Sequence, residues 1–600
     1  MTEVTASVLV RRGYDDADRA AAFLSGELPP HDPFALGDMA EACDRIRATI
    51  AGGGRICVHG DYDADGICAT ALALLILREV GADAGWHLPS RFEEGYGVHP
   101  ETIARLADEG YDLVVTVDCG ITAAAAVDEA NRRGLQIVVT DHHRPDAELP
   151  GCPIVATRPS RYPFPELCGT GVVYKLGQAL LGPGAPVLRH HLDLVALATI
   201  ADVVPLVDEN RSVAIAGLRA LARTPKPGLR ALMKSAGVDP ASVDSGAVGF
   251  RLAPRINAAG RLGDPATALE LLLSEDERVA AELAGRLDEL NRERQAVEDR
   301  ILRSAVAQIE GWDETKRRRR AYVVADEEWH EGVIGIVASR LVERYHRPVV
   351  LIAGTAGDWK GSGRSIGAFD LHGGLGACAD RLERFGGHRA AAGLSIRREN
   401  VEGFADAFAA HAAGVLSDAD LRRVTPIDAI VPARMPLSLE LCQELRRLAP
   451  FGLGNPNVTL LAPACQIGDL APVGDGKHLR FRVRTEHGAD GGSAIAFGMG
   501  RDQDRLRRPG RYDVIFRLQE NHWNGSVSPQ LVVQRVFDTP VRYDHLRAWL
   551  ADEYRKDGSR DPVAQEVFAE LELEGGVRRS LFESPRFRAL LEEEPLQRAA

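Results

Sequence analysis

The chain has 600 residues, 45% of them hydrophobic, and a formal net charge of −14, and this length predicts several domains rather than one hydrophobic core. It contains no apolar run long enough to span a bilayer, no N-terminal secretion pattern and no CxxC pair among its nine scattered cysteines, so we expect a cytoplasmic protein with reduced thiols. The negative charge argues only weakly against a nucleic-acid partner, because binding depends on local patches.

The first half of the chain predicts a helical segment over residues 1–45 and an α/β domain over residues 46–215. In that domain, short apolar runs alternate with helical stretches, which is typical of a parallel, doubly wound sheet. The predicted strands are RICVHG, AGWHL, DLVVTVD and QIVVTDHH. Residues 216–315 are predicted to be helical, interrupted by a loop at APRINAAGRLGDPAT and ending in a long connecting helix from about 276 to 310.

The second half predicts three further parts. Residues 316–420 form a second α/β domain with glycine-rich loops, and residues 425–540 contain short strands separated by Gly, Pro and Asn turns. That strand pattern favours a small β-barrel, with an OB-fold as first choice. Residues 541–600 are predicted to be a helical C-terminal extension. The basic run 316–320 is either a solvated linker or a DNA-facing patch.

Acidic and histidine residues follow three of the predicted parallel strands. They are His59, Asp61, Asp63 and Asp65 after the first, Asp118 after another, and Asp141, His142 and His143 after a third, with Asp202 as a fourth candidate position. The carboxyl ends of parallel strands meet in one crevice, so we expect these side chains to converge. Taken alone, Asp118 would be interpreted as a helix cap. DxDxDG also suggests a calcium loop, but the glutamate expected at the end of an EF-hand loop is missing.

The combination favours a metal centre. Carboxylates repel one another when crowded unless cations neutralise them. Carboxylates with one or two imidazoles suit Mn²⁺ or Mg²⁺ better than zinc. Two such ions can act together on an in-line phosphoryl displacement, so the sequence predicts a two-metal phosphoesterase.

The segments HGDYDADG, VDCG, TDHH and IADVVPL resemble the four motifs of the DHH phosphoesterase superfamily. This resemblance implies one metal held by His59, Asp63 and Asp118, with His59 the least certain ligand. It implies a second metal held by Asp65, Asp118, His142 and Asp202, with Asp118 bridging the two. It also places His143 at the scissile phosphate and gives Asp61 and Asp141 the task of orienting the ligands.

The segments GRSIGAFDL and FGGHRAAAGLSI resemble the nucleic-acid-binding DHHA1 domain of the same superfamily. Glycine-rich loops expose backbone N–H groups to phosphate oxygens, and polar side chains add further donors. The candidate phosphate-binding residues here are Ser362, Arg364, Ser365, Gly387 and His388. Both loops could instead be ordinary turns.

Three more segments, LPSRFEEGYG, APRINAAGRLGDP and PFGLGNPN, resemble the RecJ family of exonucleases, and this likeness spans about residues 10–540. It implies a single-stranded-DNA-specific 5′→3′ exonuclease of DNA repair and recombination, releasing 5′-mononucleotides, with a helicase and a single-strand-binding protein as further partners. The implied DNA contacts are Arg91, Tyr96, Arg255, Asn257 and Arg261. Arg91 with Ser362 and Arg364 would bind a 5′ phosphate, while Tyr96 stacks on a base.

Two alternatives stay open. One is a short-oligonucleotide or cyclic-dinucleotide phosphodiesterase on the same core, and the other is a non-catalytic DNA-binding scaffold. The predicted barrel argues against the first, because a very short substrate needs no remote contact. Candidate base-stacking residues in the barrel are Phe481, Phe497, Phe516 and Trp523, of which about half are expected in the barrel core.

Overall fold

The computed structural model describes residues 1–27, 30–354, 359–432, 435–486, 490–556, 561–571 and 580–592. Parts of the predicted C-terminal extension, residues 557–560, 572–579 and 593–600, lie outside the described residues. The chain divides into two compact units, one of residues 1–28, 425–451 and 455–600 and the other of residues 29–424 and 452–454. Within the described ranges, no helix has both the length and the apolar character needed to cross a membrane.

The predicted N-terminal helical segment divides between the two units. Helices α1 (Glu3–Arg11) and α2 (Ala17–Ser25) belong to the first unit, while α3 (Met39–Ala51) belongs to the second. Val8 and Phe23 on α1 and α2 are buried in the same core as the barrel strands described below. The first helices of the chain therefore complete the core of its C-terminal half.

The first α/β domain contains a five-stranded, fully parallel sheet of order β2-β1-β3-β4-β5. Its strands are β1 (Arg55–His59), β2 (Asp83–His87), β3 (Leu113–Val117), β4 (Gln136–Asp141) and β5 (Ile154–Ala156). The four predicted strands and the doubly wound class are confirmed. The fifth strand was not predicted, because three residues are too short for a periodic signal.

Helices cover both faces of this sheet. They are α4 (Ala64–Glu79), α5 (Pro100–Asp108), α6 (Ala124–Arg133), α7 (Gly169–Leu181), α8 (Pro186–His190) and α9 (Leu192–Ala201). Strand residues alternate between two cores, since Val115 packs with α3, α4 and α7 and Val114 packs with α5 and α6. Burial on both faces explains why the strands are continuously apolar.

A helical region follows and leads into the second α/β domain. It contains α10 (Asp208–Leu221), α11 (Pro227–Ser235), α12 (Ser245–Ala247), a π-helical turn (Val248–Leu252), α13 (Ala253–Leu262), α14 (Ala266–Leu273), α15 (Glu277–Gly311) and α16 (Glu314–Arg317). Helix α15 confirms the predicted connecting helix, which spans roughly 50 Å at 1.5 Å per residue.

The predicted loop at APRINAAGRLGDPAT is wrong for most of its length, because residues 253–262 form α13. Its proline lies in the first helical turn, where a missing N–H is tolerated. Ile256 and Ala259 are fully buried and supply the apolar face that stabilises the helix. Tertiary packing here overrides the weak helix propensity of Pro, Asn and Gly.

Three of the five residues in the basic run 316–320 pair with acidic side chains. Arg318 pairs with Glu314 at 2.5 Å, Arg319 with Asp406 at 2.8 Å, and Arg320 with Asp418 at 2.9 Å. Arginines that already face carboxylates offer little charge to phosphates, so this arrangement favours the solvated-linker interpretation over the DNA-facing one.

The second α/β domain has a mixed sheet of order β6-β7-β8-β10-β9, parallel only between β6 and β7. Its elements are β6 (Tyr322–Asp326), α17 (Glu331–Tyr345), β7 (Val349–Gly354), β8 (Trp359–Arg364), α18 (Leu371–Gly376), β9 (Arg384–Gly387), β10 (Ala391–Ile396) and α19 (Val401–Val415). The glycine-rich segments predicted as loops contain β8, β9 and β10, so glycine marks strands here as well as turns.

The barrel and the tail belong to the first unit. Their elements are β11 (Ala429–Ile430), α20 (Leu439–Arg446), β12 (Leu460–Val473), β13 (His478–Arg484), β14 (Asp490–Ala496), α21 (Gln503–Leu506), β15 (Tyr512–Trp523), β16 (Ser526–Asp538), α22 (Arg542–Tyr554), α23 (Pro562–Leu571) and α24 (Pro585–Glu592). Strand order β11-β12-β13-β14-β16-β15 is closed by an additional β12–β15 pairing. This closed five-stranded barrel, β12 to β16, confirms the OB-like prediction.

Two of the four candidate stacking residues lie in the barrel core. Phe481 and Phe516 are 1% and 0% exposed, whereas Phe497 and Trp523 are 61% and 72% exposed. The structure therefore leaves Phe497 and Trp523 as surface aromatics.

Candidate active site

The strand order reverses between β1 and β3, and the predicted acidic residues gather at this point of the sheet. Strand β1 has β2 on one side and β3 on the other, so the connections that leave β1 and β3 diverge. A crevice forms at such a switch point, outside the carboxyl ends of the strands. Asp61, Asp63 and Asp65 follow β1, Asp118 follows β3, and Asp141 ends β4.

Asp63 begins helix α4 and faces the crevice at the same time. Its Oδ1 accepts hydrogen bonds from the N–H groups of Asp65 at 2.9 Å and Gly66 at 3.0 Å. These bonds satisfy amides that the first helical turn leaves without an intrahelical partner. The cap fixes the Asp63 carboxylate relative to the sheet.

Asp65 is fixed by the beginning of helix α7. Its two oxygens accept the N–H groups of Gly169 at 2.6 Å and Thr170 at 2.9 Å. A Cβ at position 169 would lie 2.5 Å from Asp118, so only glycine permits this approach. The sequence analysis did not identify these two donors, although the Gly-Thr-Gly that opens an apolar helix was a usable signal.

The acidic and histidine side chains form three overlapping sets, each with ligand atoms within 4.8 Å of one another. The sets are Asp61, Asp63 and Asp118; Asp65, His142 and Asp202; and Asp118, His142 and His143. His142 Nε2 lies 3.1 Å from Asp118 Oδ1 and 3.7 Å from Asp202 Oδ2. Asp118, which belongs to two sets, lies between the others.

His59 belongs to none of these sets. Its ring is buried beside His87, at 5.0 Å between centroids, and its Nδ1 lies 3.1 Å from the Gly60 carbonyl oxygen. Burial lowers the pKa of His59 to about 3, so the ring is neutral at neutral pH. The geometry therefore brings Asp61, rather than His59, to Asp63 and Asp118.

The electrostatics of the crevice fit divalent cations. Burial, followed by the charges of Asp65 and Asp63, raises the pKa of Asp118 well above its usual range, and burial with Asp65 does the same to the pKa of Asp202. Within the described residues, the buried Oδ1 atoms of Asp61 and Asp118 accept no hydrogen bond. Oxygen ligands with an imidazole suit Mn²⁺ or Mg²⁺, and a cation would offset the repulsion.

Asp141 organises the turn that carries both neighbouring histidines. Its Oδ1 accepts the N–H groups of His142 at 2.7 Å and His143 at 3.0 Å and lies 2.8 Å from His143 Nδ1. Burial lowers the pKa of His143, but this bond and the Asp141 charge outweigh it and leave the pKa raised. The Tyr96 hydroxyl lies 3.2 Å from His143 Nδ1, so Tyr96 reaches the crevice through this histidine.

Three arginines from separate segments have no acidic partner within salt-bridge distance in the described part of the chain, and one of them, Arg91, stacks on the ring of Tyr62 between Asp61 and Asp63. The Nε of Arg91 donates to the Gly260 carbonyl at 3.1 Å, and Arg261 donates to the Gly332 carbonyl at 2.8 Å. Arg364 donates to the Ser362 hydroxyl at 3.1 Å. Burial, followed by the charge of Arg91, lowers the pKa of Arg261 to about 10. Guanidiniums held by neutral oxygens keep their charge available to an anion.

The remaining candidates from the second domain take different positions. Ser365 donates its hydroxyl to the Phe369 carbonyl at 2.9 Å, which commits it to the local turn. Gly387 has a φ of 128° and leads into the exposed His388. Partial burial, followed by the charges of His143 and Arg144, lowers the pKa of His388.

Arg255 and Asn257 make internal contacts. Arg255 forms an ion pair with Asp288 of α15 at 2.8 Å, and the side-chain oxygen of Asn257 accepts the Ala64 N–H at 2.8 Å. The side chains of Arg255 and Asn257 are thus occupied by contacts within the protein. Arg91, Arg261, Ser362 and Arg364 remain as candidates for contact with DNA.

Family models match three parts of the chain. The DHH family N-terminal domain matches residues 55–199, the DHHA1 domain residues 319–413 and the RecJ OB domain residues 427–535. Each match falls on one of the folded parts described above.

Whole-chain relatives agree with these matches. The single-stranded-DNA-specific exonuclease RecJ of Bacillus subtilis is 38% identical over 544 residues, covering 89% of this chain and 68% of its own. Crystal structures of Thermus thermophilus RecJ with Mn²⁺ and with Mg²⁺ superpose with TM-scores of 0.77 and 0.70. Their sequences are 33% and 31% identical to this one. Each alignment covers 89% of this chain, and the two alignments cover 76% and 74% of the Thermus thermophilus chains. The chain belongs to the RecJ family.

Proposed function

We propose that this chain is an exonuclease that hydrolyses single-stranded DNA from the 5′ end to 5′-mononucleotides, using two divalent cations, Mn²⁺ or Mg²⁺. The observation that carries the proposal is the convergence of five aspartates and His142 at the sheet switch point, together with Arg91, Arg261 and Arg364, which have no acidic partner among the described residues. The related exonucleases and the metal-containing structures of Thermus thermophilus RecJ support it.

The three overlapping sets suggest how the chain would hold the ions. Asp61, Asp63 and Asp118 would hold one, and Asp65, Asp118, His142 and Asp202 would hold the other. The ions, when bound, polarise a phosphoryl oxygen and make water a strong nucleophile at neutral pH. Asp141 would keep His142 in place for this purpose, because it binds the His142 N–H.

His143 is suited to contact the scissile phosphate. Asp141 occupies its Nδ1, so Nε2, 3.4 Å from the Tyr96 hydroxyl, is the ring nitrogen left for substrate. The raised pKa of His143 means that it carries its second proton over a wider pH range and can donate it to a phosphate oxygen.

Arg91, Arg364 and Ser362 would bind the terminal 5′ phosphate and set the direction of degradation. Gly335 of α17 allows this arrangement, because a Cβ there would lie 2.9 Å from Ser362 Oγ and 3.0 Å from Arg364 Nη2. A site that accepts a terminal phosphate beside the metal centre admits one end of the strand and excludes the interior.

The barrel would provide a second contact with the strand. Arg480 and Arg484 alternate with buried residues along β13 and are exposed on its outer face, while Arg482 between them pairs with Asp490. The exposed ring of Phe497 lies 5.3 Å from His478 at the end of the same strand. Basic and aromatic side chains on one barrel surface are typical of single-strand binding.

The test uses a long single strand labelled separately at its two ends, with Mn²⁺ or Mg²⁺ and with Asp118→Asn as the inactive control. Release of labelled mononucleotide first from the 5′ end, dependent on metal and absent in the control, is the expected result. Rapid cleavage of dinucleotides beside an inert long strand would instead assign the chain to the short-oligonucleotide phosphodiesterases.

The cellular setting is also a proposal: DNA repair and recombination in the cytoplasm, alongside a helicase and a single-strand-binding protein. The nine cysteines are unpaired, eight of them buried, which fits a reducing compartment. Faster degradation of a duplex end when a purified helicase and single-strand-binding protein are added is the expected outcome, and an unchanged rate would argue against these partners.

A further inference from the structure

Helix α13 contacts residues 61–65 after β1, called here the metal-binding loop after its proposed role, at two points. The side-chain oxygen of Asn257 accepts the N–H of Ala64, the first residue of α4, at 2.8 Å. One turn later, Gly260 packs so closely on Tyr62 that a Cβ would lie 2.3 Å from the Tyr62 carbonyl oxygen. Tyr62 and Ala64 each lie between two of the aspartates that would hold the ions.

The hydrogen bond that Asn257 accepts from the Ala64 N–H completes the cap of α4. Asp63 Oδ1 accepts the next two amides, Asp65 and Gly66, and the Asp63 carbonyl accepts that of Ile67 at 2.9 Å. Asn257 therefore satisfies the one remaining N–H of the first turn. Without it, the Ala64 amide would compete for Asp63 or for water, and the cap geometry of Asp63 would loosen.

The N-terminal end of α13 is held by contacts with residues outside the metal-binding loop. The guanidinium of Arg255 lies 2.8 Å from Asp288 Oδ1 of α15 and donates to the Arg251 carbonyl at 2.6 Å. Arg261 at the other end donates to the Gly332 carbonyl of α17. A short helix held at both ends presents Asn257 to the loop at a fixed position.

We propose that Asn257 is a positioning residue for the metal centre: through the Ala64 N–H it fixes the Asp61–Asp65 loop, and it does not contact DNA. The inference rests on the proposed function only in taking these aspartates as the metal ligands. Residues that orient metal ligands typically contribute about 10- to 100-fold in metal affinity.

The test measures Mn²⁺ binding by calorimetry without DNA, and separately the DNA concentration dependence of hydrolysis at saturating Mn²⁺. Asn257→Ala is expected to weaken Mn²⁺ binding about tenfold or more and to leave the KM for DNA unchanged at saturating Mn²⁺. Asn257→Asp keeps an oxygen acceptor of the same shape and is expected to bind Mn²⁺ within a few-fold of the parent chain.

Asp276→Ala is the matched control, because it also removes a helix cap, at the start of α15, where Asp276 accepts the N–H groups of Arg278 and Val279. It is expected to lower stability by an ordinary cap contribution and to leave Mn²⁺ binding unchanged. An equal loss of Mn²⁺ affinity in this control would overturn the proposal, since the effect would then be general destabilisation.

Unchanged Mn²⁺ affinity in Asn257→Ala with a raised KM for DNA would also overturn it, because Asn257 would then be a DNA contact. These outcomes are separate from the proposed function. A parent chain that binds Mn²⁺ and degrades no DNA would refute the exonuclease, while the calorimetric comparison of the variants would still decide the role of Asn257.

Discussion

Asp118 is surrounded by the other carboxylates of the crevice. Its substitution should therefore have opposite effects on the stability of the metal-free fold and on metal binding. Removing its charge relieves repulsion with Asp61, Asp63, Asp65 and Asp202, each of which raises its pKa or shares a ligand set with it. We expect Asp118→Asn to be more stable than the parent chain in EDTA, by at least about 1 kcal/mol.

The same variant is expected to lose most of the increase in unfolding temperature that Mn²⁺ gives the parent chain, since stabilisation by a ligand follows its affinity for the folded state. Thermal unfolding followed by circular dichroism, with EDTA and with Mn²⁺, measures both effects. A variant less stable than the parent chain in EDTA would show that the Asp118 carboxylate stabilises the fold without an ion.

Arg364 allows a test of end recognition that leaves the metal ligands intact. We expect the parent chain to degrade a 5′-phosphorylated strand faster than a 5′-hydroxyl strand. Arg364→Ala is expected to reduce that ratio about tenfold or more, because a hydrogen bond to a charged group contributes roughly 1.5–3 kcal/mol. Initial rates on the two strands give the ratio.

Arg398→Ala is the control, because Arg398 is an exposed arginine of the same domain, paired with Glu327. It is expected to keep the parent preference. If Arg364→Ala also kept the parent preference for the 5′-phosphorylated strand, Arg364 would not belong to the end-binding site.

At the residue scale, the sequence was enough to predict which acidic side chains lie close together, but not which of them share a set of ligand atoms. Asp63, Asp65, Asp118, His142 and Asp202 could be found because they follow or face the ends of parallel strands, and those ends share one edge of the sheet. That Asp61 rather than His59 shares a set with Asp63 and Asp118 could not be predicted, since it depends on how the loop after β1 turns. A helix cap such as Asn257 joins residues 193 positions apart, which no local pattern reveals.

At the scale of elements, Gly260 of α13 and Gly285 of α15 give a matched pair of glycine substitutions. Gly260→Ala places a methyl group 2.3 Å from the Tyr62 carbonyl, so α13 or the metal-binding loop must move. We expect a large loss of nuclease activity and a lower unfolding temperature. Gly285→Ala in α15 meets no atom within 4 Å and is expected to stabilise the chain by about 0.5–1 kcal/mol with activity unchanged.

Thermal unfolding and nuclease rates of the two variants check this prediction. Equal effects of the two substitutions would mean that α13 does not pack on the loop as closely as described. The comparison is informative because both changes add the same methyl group to a helix.

Elements with a clear period were predictable, and elements defined by packing were not. The alternation of HLRFRVR places Leu479, Phe481 and Val483 inward and the arginines outward, so the burial of Phe481 could have been read from its own strand. Helix α13 carries Pro, Asn and Gly, and it is helical because it is enclosed by α15, α17 and the metal-binding loop.

At the scale of the whole molecule, the barrel is predicted to govern long substrates only. Reversing the charge of Arg480 and Arg484 on β13 should weaken binding to a long single strand and flatten its dependence on salt, because fewer counterions are released. Hydrolysis of strands too short to extend beyond the metal centre should be unchanged.

The control reverses Arg507 and Arg508, exposed arginines before β15, which changes net charge equally. Binding measured over a range of salt concentrations, on long and short strands, separates the cases. Equal effects of the two double variants would attribute the binding to overall charge rather than to β13.

The distribution of the site over the chain has a consequence for how such enzymes diversify. All the aspartates and histidines proposed for the metals lie before residue 203, whereas Ser362 and Arg364 come from a domain that begins more than a hundred residues later. On the proposed assignment of Ser362 and Arg364 to the 5′ phosphate, mutation in the later domain would change which end or length of substrate is accepted and leave the metal ligands unchanged. Helix α13, which touches both parts, is the segment that any exchange of domains between relatives would have to keep matched.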